Sequence, residues 1–365
     1  MKRILGMVAL LGMVLVAGSC SHKTQTTAVQ TVRFAVPRNP DSLVVTFAQE
    51  KGWYREEGLD VQFTMVEADK VQEMLASGAV DVAWSSTTST MIASIKNPNV
   101  VYVSPWNTFD KGFALIARPN GPLKSVDELN KSVPSYVEAV RLAAAQLRGK
   151  TVITTANTDM ERAVASAVAR GDLIYRNVRI IDLPPDEGLA AFLSGKGDAY
   201  LGGIPQRTRA VQQGMVEVLS GFDLGPAPIN GLVTSRAYLK GHEDVLMKIM
   251  KVWFRTATYT NSHTDEVGAY IAAQLNRDGG AHYDVADFSR DWNGLEHFVD
   301  SPQYAQNDIF DRKGNNYWRR RWDEDNKYYY ITRRSTPYSV SSDGIFVADA
   351  MQIKFIQRYG NGPFQ

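Results

Sequence analysis

"FAQEKGWYREEGLDVQF" (residues 47–63) holds a helix end, a corner and a strand in one short span. The helical run stops at Gly52, the aromatic pair Trp53-Tyr54 follows, and Gly58 stops the chain a second time. Glycine just past a periodic run is the residue that ends helices, because it tolerates the left-handed backbone there. Leu59-Asp60-Val61-Gln62-Phe63 then alternates apolar and polar, as a half-buried strand does. Upstream, Val32, Phe34 and Val36 alternate against Arg33 and Ala35 in a first strand. Pro37-Arg38-Asn39-Pro40 turns the chain, since proline fixes its own φ and disfavours helix in the residue before it. Asp41 or Ser42 then caps a helix running to about Lys51. Such a strand–helix–strand unit requires parallel strands and a right-handed crossover. Its loop, Pro37 to Ser42, lies at the carboxyl edge of a strand, where open α/β sheets bind ligands.

The pattern repeats downstream. Lys70 to Ser77 is helical, Gly78 stops it, and Val80 to Trp84 is a short buried strand. Ser85-Ser86-Thr87-Thr88-Ser89-Thr90 follows as a hydroxyl-rich helix start, whose free backbone N–H groups suit a polar or anionic ligand. Val100 to Val103 and Phe113 to Arg118 give two more strands. A second lobe begins near Pro119: "GKTVITT" (149–155) is a strand and "ANTDMERAVASAVARG" (156–171) a capped helix. "VRIIDLP" (178–184), "PDEGLAAFLSG" (185–195) and "DAYLGG" (198–203) continue as strand, helix and strand. Leu232 to Thr234 returns the chain, and Val245, Leu246, Ile249 and Met250 share one helix face beyond it. Crossings near 113–119 and 225–234 make a two-strand hinge, on which two rigid lobes close over a ligand. The expected division is 31–117 with 230–365 in lobe one and 118–229 in lobe two.

With 365 residues, 44% of them hydrophobic, the chain buries a sizeable core, and this length favours two domains. A formal net charge of +1 gives no electrostatic case for nucleic acid. At the N-terminus, Lys2-Arg3 precedes an apolar run, Ile4 to Val16, shorter than the roughly 20 residues of a spanning helix. With Ala17-Gly18-Ser19 before Cys20 this is a secretory signal pattern over residues 1–20. Its ending resembles the lipobox of bacterial lipoproteins, which implies that Cys20 becomes a lipid anchor. Cys20 is the one cysteine of the chain, so the folded body has no disulfide, zinc cluster or cysteine nucleophile. Residues 21–30 (SHKTQTTAVQ) are a polar tether. The five histidines lack metal-ligand spacing, and no GxSxG, GxGxxG or phosphate-loop motif occurs. No catalytic group, metal or cofactor is expected.

Four stretches carry a family likeness: "FAQEKGWYREEGLDVQF", "VQEMLASGAVDVAWSSTTSTM", "SVDEL…LRGKTVITTANTDMERA" and "LPPDEGLAAFLSGKGDAYLGGIPQ". In this order and spacing, over about residues 31–260, the chain resembles the substrate-binding proteins of ABC importers. The branch is the nitrate/sulfonate/taurine type, with relatives that bind thiamine-pyrimidine precursors. The resemblance implies a bilobed α/β fold of the type II, Venus-flytrap class. It also implies a monomer that captures a small polar or anionic organic molecule, sulfonate-, nitrate- or pyrimidine-like, and delivers it to a membrane permease with its ATPase. Two rivals stand beside it: a ligand-sensing partner of a membrane receptor or kinase, and a thiamine-pyrimidine synthase-like enzyme. The enzyme is disfavoured because such synthases use a cysteine-rich motif and this body has no cysteine.

The resemblance puts ligand contacts at four places. In the first loop these are Arg38, Asn39, Asp41 and Ser42, with Arg38 suited to a carboxylate or sulfonate. In lobe one they are Trp84, Ser85, Ser86, Thr87 and Thr88, and Trp106 is a further candidate for stacking. In lobe two they are Thr155, Asn157, Thr158 and Asp159, then Gly203, where backbone approaches closely, and Gln206. Two stretches depart from the family pattern: an inserted amphipathic helix within 130–146, and the aromatic, charged "NYWRRRWDEDNKYYYITRR" (316–334). The latter reads as a cation–π surface patch on lobe one, facing the permease or packed internally.

Overall fold

The computed structural model describes residues 29–68, 70–277 and 282–364. The signal pattern, the anchor at Cys20 and nearly all of the tether lie outside these residues. Among the described residues eleven strands form two sheets. They are β1 (Gln30–Pro37), β2 (Leu59–Val66), β3 (Val82–Ser86), β4 (Val100–Thr108), β5 (Ala114–Ala117), β6 (Thr151–Thr154), β7 (Arg179–Asp182), β8 (Ala199–Gly202), β9 (Val216–Ser220), β10 (Ile229–Ser235) and β11 (His297–Phe298). The first sheet has the order β11-β4-β10-β3-β1-β2 and the second β7-β6-β8-β5-β9.

The stretch 47–63 folds as its residues dictate. Helix Pro40–Glu50 ends before Gly52, whose φ of 77° only glycine adopts without strain. Trp53 and Tyr54 pack under the corner: the Trp53 ring meets Phe47 edge-on at 6.2 Å, and the Tyr54 hydroxyl donates to the Val45 carbonyl. Gly58, with φ 73°, releases the chain into β2, which pairs parallel to β1 with Val32 opposite Val61 and Phe34 opposite Phe63. Losing a buried aromatic such as Trp53 costs about 3–5 kcal/mol, so the corner stabilises the fold as well as shaping it.

The second sheet corrects the expected lobe boundary. Residues 114–117 form β5, which sits between β8 and β9 and is antiparallel to both. All four residues, Ala-Leu-Ile-Ala, are buried, which suits a central strand with a partner on each side. The chain therefore crosses between the sheets at 109–113 and 221–228, earlier than the expected 113–119 and 225–234. In the first lobe one core joins the sheet to the long helix Arg236–Ser262, with Val245, Leu246, Ile249 and Met250 all inside it. Two smaller cores cover the faces of the second sheet. The insertion carries the expected helix, Tyr136–Ala145, capped by the Ser135 side chain.

The carboxyl edges of both sheets face each other across the cleft. Segment 318–332 runs along it as a helix, Trp318–Asn326, continued by a wider helical turn, Lys327–Thr332. Of the two expected placements, internal packing holds for one face: Arg321, Trp322 and Asp325 are buried, and the Trp322 indole N–H donates to the Val340 carbonyl, while Arg319, over the Trp318 ring at 5.6 Å, and Arg320 stay exposed. Arginine at 321 and aspartate at 325 share one helix face, and that face is the one turned inward.

Candidate functional site

The two lobes meet at the starts of two helices. In lobe one Ser86 caps helix Thr87–Ser94, its hydroxyl accepting from the Ser89 N–H at 3.0 Å. In lobe two Thr158 caps helix Asp159–Arg170, which puts Asp159 in the first turn, where the helix dipole favours negative charge. The Ser86 hydroxyl donates to Asp159 Oδ2 at 2.8 Å across the cleft. The two helix starts, each expected to face a ligand, thus touch each other directly.

Arg321 reaches the same point from the C-terminal segment. Its Nη2 lies 2.5 Å from Asp159 Oδ1 and donates to Thr88 Oγ1 at 3.1 Å. Its Nε donates to Asp325, and Nη1 to the Pro226 carbonyl on the crossing segment. Arg162 of lobe two pairs with Glu324 at 2.7 Å and Asp325 at 3.1 Å. Gly225 on the crossing leaves room for it: a Cβ there would lie 2.8 Å from Arg162 Nη1. Thr88 donates to Asp325 at 2.5 Å, the Tyr329 hydroxyl to the Thr158 carbonyl at 3.1 Å, and Arg333 pairs with Glu161 at 2.9 Å. Arg162 and Arg321 are each 3% exposed and Asp325 1%. Burial works against the charge on Arg321, yet Asp325 and Asp159 beside it hold its pKa above the ordinary arginine value.

The rest of the lobe-one edge is acidic. Asp41 accepts from Asn230 at 3.4 Å, Asn230 also donates to Asn107 at 3.0 Å, and Asn107 donates to Glu296. Burial pushes Asp41 up to about 6, and burial together with the nearby Asp41 charge pushes Glu296 well above the usual carboxylate range. Asp110 pairs with His297 at 2.5 Å, and this hydrogen bond raises the histidine. A second lobe-to-lobe junction lies beyond, where Gln212 donates to Asp287 at 2.8 Å and Arg290 to Thr208 at 3.4 Å.

Several expected site residues do other work. Trp84 and Trp106 belong to the core, 3% and 0% exposed, where Trp106 stacks on Trp253 at 4.9 Å and Trp84 meets it at 5.5 Å. The face of the sheet covered by helix Arg236–Ser262 takes their rings, so neither is open to the cleft. Ser42 bonds back to the Pro37 and Asn39 carbonyls, and Ser85 accepts from Gln72. Thr87 is buried with no partner for its hydroxyl. Thr155 donates to the Leu183 carbonyl, and Asn157, in a left-handed conformation, gives its N–H to Glu161. Gly203 lies against Phe113, which a Cβ would meet at 3.1 Å, and Gln206 donates to Asp186 within lobe two. Arg38 is exposed at the turn, and Asn39 precedes the helix without a side-chain cap bond. Ser86, Thr88, Thr158 and Asp159 are the expected residues gathered at the cleft contact, with Asp41 on its floor. Sequence reasoning missed Arg162, Arg321, Asp325, Asn107, Asn230 and Glu296. The i, i+4 spacing of Arg321 and Asp325 was the one legible hint. Among the described residues no cluster of His, Cys, Asp or Glu is disposed to hold a metal ion.

The comparisons with known proteins bear on this geometry. Residues 39–141 match the NMT1/THI5-like family. The chain is 25% identical over 226 residues to the "Putative binding protein YtlA" of Bacillus subtilis, an alignment covering 60% of this chain and 62% of that protein. Its fold is similar to that of the periplasmic aliphatic sulphonate binding protein SsuA of Escherichia coli. There the TM-score is 0.65 at 15% identity, over 85% of this chain and 90% of that one. The alkanesulfonate-binding protein SsuA of Xanthomonas axonopodis pv. citri, bound to MOPS, also gives 0.65 at 15% identity, over 86% and 96%. A ligand-binding component of an ABC-type import system from Staphylococcus aureus, with zinc bound, gives 0.61 at 11% over 89% and 98%. The architecture is that of a periplasmic binding protein: two α/β lobes around a cleft. Among the described residues no helix is long and apolar enough to cross a membrane.

Proposed function

We propose that this protein is an extracytoplasmic solute-binding protein that holds one small polar organic molecule between its lobes and passes it to an ABC import permease. The observation that carries the reading is the contact of Ser86 with Asp159. It joins the two helix starts at the sheet edges where this architecture binds its ligands. A solute touching both starts favours the closed form, since only a difference in affinity between two states shifts their balance. Cys20 is the membrane anchor in this reading, residues 21–30 the tether, and the working unit a monomer that binds without chemistry.

The experiment is thermal unfolding of residues 21–365 against sulfonates, nitrate, pyrimidines, aromatic acids and organic amines. A solute at a hundred times its Kd adds about 2.7 kcal/mol, a shift of about 2–4 °C per kcal/mol for domains of this size. One class raising the midpoint supports the reading. A folded chain indifferent to the whole panel, and to extracts of small metabolites, contradicts it.

A further inference from the structure

We propose that Arg321 is a tethered stand-in for the head group of the solute, and that the solute which replaces it carries a guanidinium- or ammonium-like cation. This deepens the solute-binding reading and rests on it. Arg321 comes from neither sheet, yet its guanidinium fills the contact between the two helix starts. The groups its guanidinium bonds are all acceptors: the Thr88 hydroxyl of lobe one, the Asp159 carboxylate of lobe two, the Pro226 carbonyl of the crossing, and Asp325 of its own helix, while the neighbouring Arg162 is held by Glu324 and Asp325. A sulfonate or nitrate placed there would meet carboxylate oxygen where it needs donors, and burial would sharpen the repulsion.

Space supports the same conclusion. Beside Arg321 and Asp159 lies a cavity of ≈ 10 Å³, room for about one water, floored by Phe109, Phe113 and Asp110. With the guanidinium in place, no organic solute fits in that space. Withdrawing it joins the vacated volume to the cavity. Asp110 supplies an independent pointer: it is 5% exposed, it lines this cavity, and its Oδ1 has no hydrogen-bond partner. A buried carboxylate oxygen left unmatched is costly, and a donor-rich cation is the partner that would satisfy it. Arg162 stays occupied by Glu324 and Asp325 when only the Arg321 side chain is removed, so the vacated place keeps its acceptor character.

The segment then has a second consequence. Because Arg321, Tyr329 and Arg333 each bond lobe two from the C-terminal segment, the closed form forms without solute. Solute entry then means exchange of one cation for another.

The test removes the stand-in and supplies a free one. Arg321→Ala in the full-length protein, in detergent, is melted with methylguanidinium chloride, with sodium methanesulfonate of nearly the same shape, and with sodium chloride at equal ionic strength. At about ten times its Kd, methylguanidinium should raise the midpoint of the variant by about 2–4 °C and that of the wild type by under about 1 °C. Methanesulfonate should move neither beyond sodium chloride. The proposal is overturned if methylguanidinium leaves the variant where sodium chloride leaves it, or if methanesulfonate stabilises it as well. A sulfonate that stabilises the wild type beyond sodium chloride would sink the cation inference while keeping the solute-binding reading. Should the alanine variant not fold, Arg321→Gln, which keeps a donor toward Thr88, is read by the same outcomes.

Discussion

Among the described residues two junctions join the lobes, and they are built differently. At the first, segment 318–333 lays Arg321, Glu324, Asp325, Tyr329 and Arg333 against helix Asp159–Arg170, with both arginines at the centre 3% exposed. At the second, helix Val285–Gly294 meets helix Gln206–Gln212 through Gln212 to Asp287 and a long contact from Arg290 to Thr208. Arg290 is nearly half exposed there. Buried ion pairs repay their desolvation only with close geometry and further hydrogen bonds, and breaking one strands a charge. A polar contact near water is worth little. The first junction is therefore a lock and the second a guide: one sets whether the lobes are closed, the other only where they meet.

The largest effect follows from this asymmetry. Arg321→Ala leaves Asp159 and Asp325 facing each other, so unfolding in urea should show a loss of about 3–5 kcal/mol, as for a broken buried pair. A loss under about 1 kcal/mol would mean that the network is more hydrated than its burial implies. At the second junction, Gln212→Ala should cost no more than about 1 kcal/mol, the worth of one ordinary hydrogen bond, and leave the lobes closed. If it cost as much as the arginine change, the contrast between the junctions would fail.

Between these in size stands a pH effect on the cleft floor. Asp41 has a folded pKa of about 6 against an unfolded value of 3.8, so the folded form holds its proton longer. Its contribution to stability is present below the unfolded pKa and is lost as pH rises from about 4 through 6. Asp41→Asn should remove that loss: relative to wild type the variant gains stability across this window, by about 1–3 kcal/mol at pH 7. The same substitution relieves Glu296, whose pKa the Asp41 charge helps to raise. Parallel stability curves for the two proteins from pH 4 to 7 would show that Asp41 ionises freely in the fold.

What the sequence made legible divides along similar lines. The corner at 47–63, the hydroxyl helix start and the lobe-two helix start are local: each rests on a glycine, a cap or a period that neighbours in the chain determine. Ser86 and Asp159 were legible because helix starts at sheet edges are marked by capping residues. Trp84 and Trp106 misled because a tryptophan beside a loop looks the same whether it faces a cleft or a helix, and Trp253, which decides it, lies far along the chain. Strand β5 misled because four apolar residues carry no mark of which sheet they join. Arg321 lay hidden in "WRRRW": three adjacent arginines differ in role only through the helix phase, which turns Arg321 inward and leaves Arg319 and Arg320 exposed. Its partners, Thr88 and Asp159, are more than 150 residues away in the chain, beyond any local pattern.

The lock at Arg321 is tested most directly by the distance between the lobes. Spin labels on Glu73→Cys in lobe one and Glu187→Cys in lobe two, both exposed, go into the chain from residue 21 onward, which has no other cysteine. Lobes locked through Arg321 give one narrow, short distance without any solute, and a broader, longer distribution once Arg321→Ala is added. A wide distribution in the parent protein, or a narrow one that Arg321→Ala leaves unchanged, would contradict it.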